Sequence, residues 1–154
     1  MPLLMSFSLT EPQIVDGSKL VTRRCGWEQL RAGDLVQPVR KRMGLRPGES
    51  VVRLRDPMRV RSVRREPIRA LLDDLDYGFA EIALEGFGRH PKLRWPRLFV
   101  EFFCETHRGC TLNSLVTRIE FEPDLSLARQ RRAPAPAAHV GGQRVLEPVT
   151  LAVP

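Results

Sequence analysis

Eight residues, Gly17-Ser18-Lys19-Leu20-Val21-Thr22-Arg23-Arg24, bring together a turn glycine, an ammonium, a hydroxyl and two guanidinium groups. Leu20 to Cys25 carries β-branched residues and reads as a strand. Side chains alternate along a strand, so Val21 and Arg23 share one face while Thr22 and Arg24 share the other. Gly17 permits a turn or a close approach without a Cβ penalty. Lys19 then sits at the turn, free to lean toward the Thr22/Arg24 face. Such a group can bind a phosphate or polarise a carbonyl. A threonine hydroxyl is a poor nucleophile until a neighbouring base takes its proton. Lys19 does this if desolvation and Arg24 lower its pKa; if it stays charged it stabilises an oxyanion. The same spacing also describes a plain Gly-Ser turn feeding a strand with solvated cations.

A second set of groups is soft. Cys104, His107 and Cys110 lie within seven residues, with Cys25 as a fourth sulfur. The spacing matches no standard zinc knuckle, and Cys104 at the end of an apolar helix reads more simply as a core residue, so neither a metal nor any other cofactor is expected.

The elements that must position these groups follow from periodicity and turn chemistry. Leu3 to Ser8 reads as a strand. Thr10, with Gln13 three residues on and Pro12 in the first turn, predicts a capping box and a short helix ending at Gly17. Trp27 and Leu30 read as a hydrophobic plug at one end of a barrel. Strands are expected near Leu35 to Arg42, with Pro38 at an edge or bulge, and over Val51 to Arg55 and Met58 to Val63. In these, Arg53, Arg55, Arg59 and Arg61 alternate with Val52, Leu54, Met58 and Val60, giving one apolar and one cationic face. Asp76 is expected to cap a helix running to about Glu85 that buries Phe79, Ile82 and Ala83. Residues 87 to 94 read as a loop, Pro96 opens a helix running to about Thr106, and Val116 to Glu122 closes the sheet. The expected fold is α+β: a small, mostly antiparallel β-barrel with packed short helices over residues 1–125. An Arg/Ala/Pro-rich tail, residues 126–154, is expected to be disordered.

The order of these pieces resembles the ASCH family, whose domains are related to PUA domains. Gly17, Lys19, Thr22 and Arg24 match its G-x-K-x-x-T-x-R signature. Ala83-Leu84-Glu85-Gly86-Phe87 is similar to its Glu-Gly segment, and Val116 to Phe121 to its closing strand, so the likeness spans roughly Leu3 to Pro123. The resemblance implies a PUA-like barrel. Some members deacylate acetylated cytidine with the signature lysine, the signature threonine and a later glutamate, here Lys19, Thr22 and Glu85. Other members are linked to RNA. The implied partners are therefore RNA or a nucleotide or nucleoside, and the implied activity is binding or amide hydrolysis. Without the family, a Lys-Glu ion pair tying helix to barrel explains the same residues.

Charge sharpens the choice of partner. The net charge is +7, yet Ser18–Arg69 holds 15 Lys/Arg against 5 Asp/Glu while Ala70–Leu127 holds 6 against 10. The basic half suits phosphate-rich partners, with Arg24, Arg40, Lys41, Arg53, Arg55, Arg59 and Arg61 as the expected phosphate contacts around Gly17. Arginine outnumbers lysine 22 to 3, a bias that genome composition also produces. No stretch approaches the run of about 20 apolar residues that a membrane helix needs. Three cysteines suit a reducing compartment, and Met1 to Met5 lacks a basic n-region, so the expected location is cytoplasmic.

Overall fold

The computed structural model describes residues 1–134. Five strands form one mixed sheet in the order β1-β3-β4-β5-β2: β1 Leu3–Ser6, β2 Val21–Arg24, β3 Leu35–Val39, β4 Met58–Pro67 and β5 Leu115–Phe121. β1 runs parallel to β3, and the other pairings are antiparallel. Five helices accompany the sheet: α1 Glu11–Val15, α2 Ala70–Asp73, α3 Leu75–Leu84, α4 Pro96–Thr106 and α5 Leu125–Arg132. The α+β class matches the sequence, but the sheet is open rather than a closed barrel. β1 and β2 are its two edges and do not pair. Arg24 spans the gap instead, its guanidinium donating to the Ser6 carbonyl oxygen at 2.5 Å.

Apolar alternation explains the two cores. Inward residues of the strands, Met5, Val36, Met58, Val60, Ile119 and Phe121, pack with Phe7, Ile14 and Leu30, and Trp27 leans on them as the expected plug. Ile68, Leu71, Ile82, Phe87, Phe99, Val100, Phe103 and Val116 form a second core between the helices and the far end of β5.

Several expectations are corrected. Val51 to Arg55 is not a strand, and β3 stops at Val39. Pro38 can accept but not donate. Pairing there is reduced to Leu54 N–H to Pro38 O, Arg40 N–H to Val52 O and one bridge between Val39 and Arg53. β4 runs on to Pro67 after a register shift at Arg61. Thr10 makes no side-chain cap to α1. α3 starts earlier than expected because Asp74, not Asp76, caps it, accepting from the Tyr77 N–H at 3.2 Å. Its buried stripe is Gly78, Glu81 and Ile82, with Glu85 just past its end; Phe79 is exposed and meets Trp95 edge to face. The segment expected to be disordered begins as α5, because Asp124 caps it and Arg129, Arg131 and Arg132 sit favourably at its C-terminal end. The remainder of that expected tail, 135–154, lies outside the described residues. No helix among the described residues is long and apolar enough to cross a membrane.

Candidate functional site

A cleft of about 180 Å³ opens where the two sheet edges part, and α4 forms its far wall. Its polar lining includes Ser6, Ser8, Thr10, Lys19, Thr22, Arg24 and Glu85, with Thr106 and His107 at the α4 side. Chain geometry puts each of these there. Gly17 turns with φ +74°, and Lys19 N–H then bonds the Gln13 carbonyl at 3.1 Å. Leu20 N–H bonds the Leu84 carbonyl at 2.9 Å, which lays the signature segment along the end of α3. Glu85 follows α3 directly, and Gly86 turns the chain away with φ +92°. A side chain at Gly86 would press on Gln13 and Lys19.

Lys19 is 4% exposed. Its ammonium donates to the Glu85 carbonyl oxygen at 2.6 Å and to Glu85 Oε2 at 3.0 Å. An ammonium has three donors, so one is left for a ligand. Burial pushes the Lys19 pKa down; Glu85 opposes this, and Arg24 and Arg23 add to it. The Phe7 and Phe87 rings flank the Nζ at 6.0 and 5.7 Å. Thr22 is buried too, and its Oγ1 accepts from Arg24 Nε at 3.2 Å. Both share a strand face, as alternation requires. Arg24 also lies over Phe7, 4.9 Å from the ring centre.

Glu85 is held from the other side by a residue that the sequence reading passed over. Arg23 donates to Glu85 Oε1 at 3.2 Å, to Glu66 Oε1 at 2.7 Å and to Glu81 Oε2 at 2.5 Å. Arg118 completes the group, reaching Glu81 at 2.6 and 2.9 Å and Glu120 at 3.1 Å. Burial alone would raise the Glu81 pKa, but the Arg118 and Arg23 guanidinium groups outweigh it and hold the carboxyl below its ordinary value. The signal for this network was present in the alternation: Arg23 shares the buried face of Val21, and a buried cation needs carboxylate partners.

The expected phosphate contacts lie elsewhere. Arg40 pairs with Glu11 at 2.6 Å, Arg55 with Asp124 at 2.8 Å, Arg59 with Glu122 and Arg61 with Glu120, each at 3.9 Å. Lys41 and Arg53 are exposed, with no ion pair among the described residues. None of these six lines the cleft, and Gly17 supports it from behind, against Leu127 and Arg131 of α5. The soft groups converge only in part. Cys104 and Cys110 sulfurs lie 3.5 Å apart, and His107 turns to the Phe103 carbonyl. Among the described residues no cluster of three or more groups could hold a metal.

No family model matches the chain, and no curated protein matches it. A crystal structure of protein EF3133 from Enterococcus faecalis V583, of the DUF984 family, resembles it with a TM-score of 0.45 at 17% identity, over 80% of each chain.

Proposed function

We propose that this chain is an ASCH-type amidohydrolase that removes the acyl group from an acylated cytidine nucleoside. The observation that carries the reading is the meeting of Glu85 with Lys19, 3.0 Å apart, in the cleft that Thr22 also lines. The Thr22 oxygen attacks the acyl carbon and its proton passes to the neutral Lys19 amine. Arg24, already bonded to Thr22, faces the negative charge that develops on the acyl oxygen. The lysine proton then goes to the departing amine, and water hydrolyses the threonine ester to release the acid. Glu85 orients Lys19, while burial favours the neutral amine that the first step needs. The aromatic lining suits a flat base.

Incubation with acetylated cytidine tests this. The expected outcome is release of acetate and cytidine, and a kcat/KM lowered about 10²- to 10⁴-fold in Lys19→Ala. Full turnover in Lys19→Ala, or none in the wild type, contradicts it.

A second reading, RNA or nucleotide binding without chemistry, draws support from the exposed Lys41 and Arg53, which have no ion pair among the described residues. It predicts RNA affinity that falls with salt, with a log–log slope shallower by about one when either is replaced by alanine. An unchanged salt slope counts against those two contacts.

A further inference from the structure

The last turn of α4 presents a ring whose hydrogen-bonding state is set by its neighbours. His107 lies flat on Phe103, ring centres 4.1 Å apart and planes 18° apart. Its Nδ1 is 2.8 Å from the Phe103 carbonyl oxygen. A carbonyl only accepts, so Nδ1 carries a proton and donates. Thr106 reinforces this: its hydroxyl gives its proton to the Phe102 carbonyl at 2.9 Å and turns a lone pair to the same Nδ1 at 3.3 Å. The neutral ring then has its free lone pair on Nε2.

That lone pair matters because it places a ring acceptor on the cleft wall, among cations that only donate. Glu85 Oε1 and Oε2 already accept from Arg23 and Lys19, and the Ser6 carbonyl from Arg24, while the Ser6, Ser8 and Thr10 hydroxyls lie on the opposite wall. Lys19 and Arg24 themselves can only donate. His107, Phe102 and Phe103 line the same cleft, and Nε2 has no partner among the described residues.

We propose that the end of α4 is the base-selecting subsite of the cleft, in which His107 Nε2 accepts the exocyclic N–H of a flat aminopyrimidine ligand. This rests on the nucleoside reading above and names the residue that chooses among such ligands. Phe102 and the Phe103–His107 stack supply the flat apolar wall. The N–H that His107 accepts is on the amide nitrogen that departs, so His107 holds the leaving group while the proton transfers stay with Lys19.

Two measurements test it. Long-range proton–nitrogen NMR of the free protein is expected to show His107 protonated at Nδ1 and bare at Nε2; the opposite tautomer overturns the proposal. Binding is then compared for N4-acetylcytidine and its N4-methylated analogue, which lacks the N–H. The wild type is expected to favour the N–H form by about tenfold, the worth of one neutral hydrogen bond. His107→Gln, which keeps an acceptor, is expected to retain most of that preference, and His107→Phe, which keeps only the flat ring, to lose it. Preference undiminished in His107→Phe overturns the subsite even if turnover occurs. Preference that depends on His107 without turnover sinks the hydrolysis and supports the subsite. Binding of neither probe by the wild type overturns both.

Discussion

At Lys19, burial and ion pairing pull in opposite directions, and burial prevails: the amine gives up its proton below the ordinary lysine value of 10.5. In the unfolded chain Lys19 stays protonated up to that value. Between the lowered folded pKa and 10.5 the unfolded state therefore binds more protons, and Lys19 by itself makes stability rise with pH across that window. The same shift gives activity a direction. If the neutral amine takes the Thr22 proton, kcat rises with pH and levels off below 10.5, which a pH–rate profile checks. A profile that falls as pH rises across this range contradicts a lysine base. Lys19, Thr22 and Arg24 were legible in the sequence because a turn followed by strand alternation fixes which side chains meet. Arg23 was legible only as a buried cation in need of carboxylates, not as the group that holds Glu85. Its role depends on Glu66, Glu81 and Glu85, which are 43 to 62 residues away.

The elements are joined by charge as much as by apolar packing. α3 turns Glu81 inward and delivers Glu85 to β2, and there Arg23 and Arg118 compensate the buried carboxylates. Removing one partner leaves the others buried and unpaired, so Arg23→Leu is expected to cost about 3–5 kcal/mol in denaturant unfolding. A loss under about 1 kcal/mol would mean that the network is solvated. α3 also depends on a glycine. A Cβ on Gly78 would run into the Leu71 carbonyl oxygen of α2 and crowd Pro96 of α4. Gly78→Ala is therefore expected to destabilise by about 1–3 kcal/mol despite alanine's better helix propensity, and the thermal midpoint reports it. The sequence pattern gave α4 and β5 well because their periodicity is apolar. It misread the buried face of α3, where Glu81 stands in a position that a hydrophobicity rule assigns to solvent while Phe79 and Ala83 are exposed.

Over the whole molecule, the mixed sheet stays open at the edges formed by β1 and β2, and the cleft lies in that opening. A closed barrel was the natural expectation from many short strands, but strand count does not decide whether the first and last strands pair. Here the side chain of Arg24 and the cleft occupy the place where a ladder would run. The buried carboxylates also set the response to acid. Glu81 titrates below 4.5 in the folded protein, so its stabilisation is present above the unfolded value and is lost as pH falls through the folded one. Stability is expected to decline as pH falls below about 4.5, and Glu81→Gln should flatten that limb of the stability curve. The site itself is tested most directly by Thr22→Val, which removes the buried hydroxyl and keeps the shape. Turnover of acetylated cytidine is predicted to disappear while cytidine still binds; turnover unchanged in Thr22→Val would contradict the assignment of this cleft as an active site.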